Sequence, residues 1–446
     1  MITAELRHSA DQLTAAGRAL YDLGEAALWE RETATLPRPL ARRRRQYRAF
    51  AREHLAPLVD RADADPTSHD PRPLLTAAAR AGLQSEMLPP PWGTMPLSSL
   101  RSRSLVHEVL KAEELTTVCA GLALGLLAHG LGILPLALSG DLGTIRRWLV
   151  PVTRENKAGR PRLAAFAITE PAAGSDVEDS AGAATARFRT TARRVDGGYL
   201  LNGQKVFITG GAHADLVTVF ATLQAEDGTP GRVDRDWTCF VVERGTPGFR
   251  AGRSEHKLGQ RAADATELFL DDVWVPAENR VGAERSGWAL NRNVLNYSRV
   301  PVGAIALGIA RGATEAATEY CRRTRLGNKP LLAYQEVQLA VADLWLETMA
   351  MRAMVWHGSR HVPPTQAVSS AVKTFCGDRA VAVCTRAIEL LADDGAIVAH
   401  GVEKRLRDGR LNQIYEGTNQ LNRLAIVEAQ WETDIAGPSF TAPFPG

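Results

Sequence analysis

The sequence predicts an α+β protein, with a small antiparallel β-barrel or sandwich between an N-terminal helical domain and a C-terminal bundle of three or four helices. Apolar residues recur at helical spacing before residue 160, β-prone runs with turn signals follow, and long Ala-, Leu- and Glu-rich segments come last. The predicted parts are an extension and linker (1–45), a helical domain (46–160), a β domain (161–283), a helical bundle (284–436) and a loose tail (437–446).

The N-terminal part combines a proline-containing linker, Leu36–Pro39, with the run Arg42–Arg45. An arginine run of this kind is usually a solvated helix face or a linker. Tyr47, Phe50 and Leu55 then recur at near-helical spacing and predict a buried helix face.

The most apolar stretch, Ala120–Leu138, is about long enough to cross a bilayer. Gly130, Gly132 and Pro135 interrupt it, and polar amphipathic segments flank it. We therefore interpret it as a buried helix followed by a turn, and we expect no membrane insertion.

Two turn signals mark the β domain. One is Asp196-Gly197, and the other is Asn202-Gly203, which predicts a hairpin between Tyr199–Leu201 and Lys205–Ile208 because both residues tolerate positive φ. Further strands are predicted at Leu216–Leu223, Trp237–Val242 and Glu267–Val275, and bundle helices at Pro301–Arg325, Tyr334–His357 and Thr365–Leu391.

Composition excludes several classes of protein. The net charge of +3 on 446 residues gives no reason to expect nucleic acid as a partner. The five cysteines contain no C-x-x-C pair, which favours free thiols in a reducing compartment, and the N-terminus has no signal-peptide pattern, so we expect a cytoplasmic protein. Nucleotide-binding glycine motifs, a nucleophile elbow and metal-ligand spacing are all missing, so we predict no metal site.

Four segments carry a family resemblance: Phe166–Asp176, Leu201–Gly211, Lys257–Arg261 with Asp271–Pro276, and Arg407–Gln420. In this order they resemble the signature stretches of the acyl-CoA dehydrogenases, and the resemblance extends from about Tyr47 to Gln430. It implies a helical domain, a middle β domain and a C-terminal four-helix bundle. The implied activity is flavin-dependent α,β-dehydrogenation of an acyl thioester.

The implied chemistry needs a base for the α proton and an acceptor for the β hydride. No side chain accepts a hydride well, so a redox cofactor is required, and in this family it is FAD. Thr169 and Thr209 match threonines beside the isoalloxazine ring, and Phe207 matches an aromatic position near it. The residues matched to cofactor contacts are Thr169, Gly174, Ser175, Phe207, Thr209, Arg325 and Gln335.

Glu416 matches the catalytic base of the family, and Arg299, Tyr415 and Gly417 are predicted to contact substrate. Burial would raise the pKa of this glutamate towards the neutral range that suits α-proton abstraction. Some relatives carry the base just before an arginine matching Arg299, but Ser298 occupies that position here.

Two stretches depart from the family pattern on the pyrophosphate side of the cofactor. Thr324 and Gly327 stand where the family has an arginine and an aromatic residue. Arg323 or Arg325 could take over the arginine's role, and Arg325 is the residue that we predict to do so. Asp393 and Asp394 stand in a loop that is usually glycine-rich, and their charges would repel a pyrophosphate.

Several alternatives stay open at this point. The enzyme could return electrons to oxygen, as an oxidase, instead of to an electron-transfer flavoprotein, or the chain could be an FAD-free thioester-binding protein. The acyl group could be carried by CoA or by an acidic acyl carrier protein, which the Arg42–Arg45 run could receive. The family architecture implies a homodimer or homotetramer.

Overall fold

The computed structural model describes residues 28–431 except 67, 68, 178, 179, 230 and 361, together with residues 8, 9, 11–15 and 17. Most of the predicted N-terminal extension before residue 28, and the predicted loose tail 437–446, lie outside the described residues.

The first part of the described chain is helical. Its helices are α1 (Leu28–Thr35), α2 (Arg38–Phe50), α3 (Val59–Ala64), α4 (Arg72–Arg80), α5 (Leu97–Ser102), α6 (Val106–Val118), α7 (Ala120–Leu138), α8 (Leu142–Thr144) and α9 (Val150–Lys157). A π-helical turn continues α2 and another joins α8 to α9. Tyr47, Phe50 and Leu55 are buried in one core with α6 and α7, which confirms the predicted face.

The prediction of a solvated arginine run is wrong at Arg44. Its side chain is fully buried, with Nε 2.8 Å from Glu114 Oε1 and Nη2 3.4 Å from Glu113 Oε1. Arg311 also contacts both carboxylates, at 3.0 and 2.9 Å. Two buried carboxylates require cations, so this arginine faces the interior, while Arg42 and Arg45 stay exposed.

The stretch Ala120–Leu138 is one continuous helix, so the predicted turn is wrong. Pro135 lies inside its last turn, and Gly132 packs so closely on β1 that an added Cβ would come within 2.5 Å of the Ala164 carbonyl carbon. By length and composition this helix could cross a membrane, but most of it is buried inside the protein, as in a core helix.

The middle part forms one sheet. Its strands are β1 (Ala164–Ala167), β2 (Thr191–Val195), β3 (Gly198–Ile208), β4 (Leu216–Leu223), β5 (Trp237–Glu243), β6 (Phe249–Ser254), β7 (Thr266–Pro276) and β8 (Arg280–Val281). The strand order is β6-β7-β3-β2-β4-β5-β8, with β1 beside β4. Two short helices, α10 (Ser180–Thr185) and α11 (Val233–Asp236), interrupt it. The pairs β1–β4 and β2–β4 are parallel, and the other strand pairs are antiparallel. A tight hairpin turn can join only antiparallel strands, and neither β1 nor β2 is joined to β4 by such a turn.

The hairpin predicted at Asn202-Gly203 is wrong, whereas the turn at Asp196-Gly197 joins β2 to β3 as expected. Asn202 and Gly203 lie inside β3, at a register shift against β7. A Cβ on Gly203 would come within 2.6 Å of Thr190 Oγ1. The glycine is therefore needed for a bulge with close backbone approach, not for a hairpin turn.

The last part is a helical bundle. Its elements are α12 (Gly287–Arg323), β9 (Arg325–Leu326), β10 (Lys329–Pro330), α13 (Gln335–Gly358), α14 (Gln366–Leu390), α15 (Val402–Leu411) and α16 (Asn419–Trp431). The three long predicted helices are confirmed, but α12 begins at Gly287 and not at Pro301, which lies inside it. The five cysteines of the chain are buried free thiols, as the sequence predicts.

Candidate functional site

A cavity of about 890 Å³ lies where the three parts of the fold meet. Thr169, Phe207 and Thr209 reach it from the β domain, and Tyr415 and Glu416 from the loop between α15 and α16. Residues of α7 and α12 supply much of its apolar wall. Five residues selected from the sequence therefore line one space.

A buried ion pair positions Thr169. Lys205 Nζ donates to Glu170 Oε1 at 2.8 Å and to the Ile168 carbonyl at 2.9 Å, and the Val206 N–H donates to the Thr169 carbonyl at 2.9 Å. Burial lowers the pKa of Lys205, and the negative charge of Glu170 opposes that shift. These contacts bind the segment after β1 to the end of β3, so Thr169 lies beside Phe207.

Phe207 is 60% exposed although it lines the cavity, and its φ is +60°. It lies at the second register shift between β3 and β7. The following turn is tied down by Asp264, whose carboxylate accepts from the N–H groups of Gly210 (2.7 Å) and Ala212 (3.0 Å). Left-handed φ is costly for a bulky residue and is concentrated at functional sites. The sheet thus presents an aromatic ring to the cavity.

The loop that carries Glu416 also has left-handed backbone, with φ of +58° at Glu416 and +81° at Gly417. Buried side chains fix its carbonyl groups. Lys373 Nζ donates to the Gly417 carbonyl at 2.6 Å, Asn422 Nδ2 to the same carbonyl at 2.8 Å, and Arg299 Nε to the Glu416 carbonyl at 3.2 Å. The glutamate is therefore held in one orientation by three different helices.

The Glu416 carboxyl has an unusual electrostatic environment. Burial raises its pKa, and a hydrogen bond from Ser298 Oγ to Oε2 (2.5 Å) and the positive charges of Arg299 and Lys373 oppose that shift. Burial, followed by repulsion from Arg299, lowers the pKa of Lys373 to about 7. The result is a carboxyl that takes up a proton more readily than an ordinary glutamate.

Other predicted residues lie outside the cavity wall. Arg299 and Gly417 lie behind Glu416, within the loop contacts just described. Ser175 lies in a short 3-10 helix, and its Oγ accepts from the Thr418 N–H at 3.2 Å. Gly174 precedes it, where an added Cβ would lie 3.2 Å from Thr169 Cγ2.

Arg325 and Gln335 are exposed at the connection between α12 and α13, where the Arg325 guanidinium donates to the Asn328 carbonyl. The structure does not bring these two residues to the cavity. Their role in holding a cofactor stays a prediction.

Sequence reasoning missed three residues of the site. Lys373 and Asn422 fix the loop. Gln260 stands in the Lys257–Arg261 segment but was assigned no role; it donates to Tyr415 Oη at 3.4 Å and to Asn412 Oδ1 at 2.9 Å. The only sequence signal for Lys373 was the presence of a lysine within the apolar pattern of α14. A buried lysine in a helix is costly unless it is paired.

Family models cover most of the chain. The N-terminal, middle and C-terminal domains of acyl-CoA dehydrogenase match residues 41–156, 165–273 and 285–430. Cyclohex-1-ene-1-carbonyl-CoA dehydrogenase of Geobacter metallireducens is 36% identical over 79% of this chain and 87% of its own length. The chain belongs to the acyl-CoA dehydrogenase family. It is accordingly an oxidoreductase acting on CH–CH donors.

Two further relatives agree with this assignment. An acyl-CoA dehydrogenase of Bacillus subtilis is 33% identical over 86% of this chain and 95% of its own length. The butyryl-CoA dehydrogenase structure from Megasphaera elsdenii superimposes with a TM-score of 0.79 at 30% identity, covering 89% of this chain and 98% of the other. The predicted α+β fold class is therefore confirmed.

Members of the acyl-CoA dehydrogenase family depend on FAD, and the ring side of the site fits a flavin. The exposed Phe207 ring supplies an apolar surface, and the Thr169 and Thr209 hydroxyls can bond a ring edge without adding charge. In the loop that departs from the family pattern, Asp394 accepts from Tyr320 Oη at 2.8 Å and lies 3.7 Å from His400 Nε2. Asp394, one of the two aspartates that depart from the family pattern, therefore already has partners within the protein.

Proposed function

We propose that this enzyme dehydrogenates an acyl thioester between its α and β carbons, with Glu416 as the base that removes the α proton. The observation that carries the proposal is that the Glu416 carboxyl, with its raised pKa, lines the same cavity as the exposed Phe207 ring. FAD, when bound, supplies the acceptor for the β hydride at its N5 atom.

The chain's own residues then have separate tasks. Glu416 takes the α proton, and its raised pKa brings it closer to the weakly acidic proton it must remove. Its backbone N–H is proposed to stabilise the negative charge that develops on the thioester oxygen. Leucines of α7 line the cavity and limit access of water to the reacting carbons.

The remaining predicted residues complete this proposal. Thr169, Phe207 and Thr209 would hold the flavin ring. Gly174 and Ser175, together with Arg325 and Gln335, would hold the pyrophosphate side of FAD. The thioester is proposed to be positioned by Arg299, Tyr415 and Gly417. Arg299 would act indirectly, through its hydrogen bond to the Glu416 carbonyl.

The visible absorption spectrum of the purified protein, with chromatographic identification of the released cofactor, tests this proposal. We expect stoichiometric FAD that is bleached under anaerobic conditions by a panel of acyl-CoA and acyl-carrier-protein thioesters. Rapid reoxidation by air would indicate an oxidase. A colourless protein that takes up no added FAD would contradict the proposal and favour a thioester-binding protein.

We further propose a cytoplasmic homodimer or homotetramer that passes electrons to an electron-transfer flavoprotein. Exposed apolar side chains on α13 and at the end of α16 support association of the bundle, namely Leu339, Leu346, Met349, Val427 and Trp431. Five buried free thiols support a reducing compartment.

The substitution Ser298→Ala is expected to move the acidic limb of the kcat/KM profile to higher pH. The Ser298 hydroxyl donates to the charged carboxylate and thereby lowers the pKa of Glu416, so its removal raises that pKa further. The base is active when deprotonated, and the rate should therefore fall at a higher pH than in the parent. An unchanged acidic limb would show that Glu416 is not the titrating base.

The substitution Phe207→Ala is expected to weaken FAD binding about tenfold, because loss of an aromatic contact costs ~0.5–1.5 kcal/mol beyond its buried area. Equilibrium dialysis of the flavin measures the change. Trp92→Ala is the matched control, since Trp92 is 49% exposed and lies outside the cavity wall. Equal flavin affinity in both variants would contradict the proposed role of Phe207.

A further inference from the structure

One wall of the cavity is polar, although much of the rest is apolar. Gln84, Ser99 and His107, which we call the polar wall, all line the cavity and are only 3%, 2% and 3% exposed. The side-chain polar atoms of Gln84 and Ser99, and Nδ1 of His107, have no hydrogen-bond partner among the residues that the structure describes. His107 Nε2 lies 3.3 Å from Glu108 Oε1, so Nδ1 is the imidazole atom left for a ligand.

The polar wall belongs to the N-terminal helical part of the fold. Gln84 follows α4, Ser99 lies on α5 and His107 on α6. None of the three takes part in the contacts of the Glu416 loop or of the Phe207 turn. The proposed chemistry therefore leaves these groups without a task.

Lys111, Glu86 and Glu108 also line the cavity beside this wall, and these three groups compensate one another. Lys111 Nζ contacts Glu86 Oε2 at 3.0 Å and Glu108 Oε2 at 2.9 Å. Glu86 also accepts from Tyr47 Oη at 2.6 Å and lies 3.7 Å from Arg43 Nη1. The hydrogen-bonding capacity left for a ligand is thus that of an amide, a hydroxyl and an imidazole.

A purely hydrocarbon acyl chain would fit this wall poorly. Buried polar atoms are nearly always hydrogen-bonded, and a group that displaces water without replacing its hydrogen bonds loses affinity. The leucines of α7 that line the same cavity suit the hydrocarbon part of a chain; they are Leu124, Leu126, Leu127, Leu131, Leu134 and Leu138. The cavity as a whole suits an apolar chain that also carries a polar group.

We propose that the polar wall is a specificity subsite for an uncharged hydrogen-bonding substituent on the acyl group: a hydroxyl, a ketone or an amide. An anionic substituent is disfavoured because Lys111 already contacts the carboxylates of Glu86 and Glu108, and a cationic one is disfavoured because both carboxylates already contact Lys111. This inference rests on the proposed thioester dehydrogenation and assigns its substrate class.

The test compares kcat/KM of the FAD-loaded enzyme for matched acyl-CoA thioesters. Each set contains a saturated chain, the same chain with a hydroxyl or keto group at successive positions beyond the β carbon, and a terminal carboxylate analogue. We expect at least one neutral polar analogue to exceed its parent about tenfold or more, since sites built to bond a substrate hydroxyl discriminate strongly. The carboxylate analogue should gain nothing.

The variants Gln84→Met and His107→Leu remove the bonding groups while keeping similar volume. We expect each variant to bring the ratio of kcat/KM for the polar analogue to kcat/KM for its parent to within about threefold of one. Gln430→Met is the matched control because Gln430 is exposed at the end of α16, and it should preserve the preference. Equal kcat/KM for polar and parent thioesters, unaltered by the variants, would show that the polar wall binds water alone and would overturn the inference.

Calorimetric binding of the same thioesters to the Glu416→Gln holoenzyme separates this inference from the proposed function. Tighter binding of the neutral polar analogue supports the subsite even where no thioester bleaches the wild-type flavin. If every thioester bleaches the wild-type flavin and all bind the Glu416→Gln holoenzyme with equal dissociation constants, the dehydrogenation is supported and the subsite is overturned.

Discussion

Replacing Glu416 with glutamine is expected to lower kcat by about 10²–10⁴-fold, the contribution of a positioned general base. The amide keeps the size of the side chain and can still accept from Ser298 Oγ, so the loop should retain its conformation. It has no basicity to take the α proton. Flavin bleaching on mixing with a thioester should therefore fail, while the dissociation constant changes little.

Two variants sharpen this experiment. Glu155→Gln, which alters an exposed glutamate paired with Arg160, should leave kcat unchanged. Adding Ser298→Glu to the Glu416→Gln variant should restore part of the activity, because position 298 lies within hydrogen-bond distance of the original carboxylate. Normal turnover by Glu416→Gln alone would refute the assignment of the base.

Replacing Lys205 with methionine is expected to lower the free energy of unfolding by ~3–5 kcal/mol, because it leaves the buried Glu170 without its cation. Glu170 still accepts from the N–H groups of Arg189 and Thr190. The lost bond to the Ile168 carbonyl should also loosen Thr169 and weaken FAD binding. Denaturant unfolding at a fixed excess of FAD measures the change.

The double variant Lys205→Met/Glu170→Gln provides the decisive comparison. Removing both charges leaves no unpaired buried ion, so the double variant should be more stable than Lys205→Met alone. Arg160→Met breaks an exposed pair and should leave stability unaltered. If Lys205→Met proves as stable as the parent, the ion pair does not organise this edge of the sheet.

The sequence predicted those site residues that lie in a contiguous motif and whose own side chains carry the proposed chemistry. Thr169, Phe207, Thr209, Tyr415 and Glu416 all come from such motifs and all line the cavity. Lys373 and Asn422 were missed because they act on the loop through contacts that cross from one element to another. Gln260 lies in the Lys257–Arg261 motif, but its contact with Tyr415 also crosses between elements, so the motif alone assigned it no role. Arg325 and Gln335 come from motifs too, but the structure leaves them on the surface.

The sequence by itself determined the order of helical, β and helical parts and the long bundle helices, because side-chain periodicity is a local property. It predicted a hairpin turn at Asn202-Gly203 where the structure has a bulge, since glycine suits both and the approach of Thr190 decides between them. Only the tertiary structure decided that Arg44 is buried and that Glu416 is enclosed. Burial and charge compensation depend on partners distant in sequence, and those partners set the pKa of Glu416.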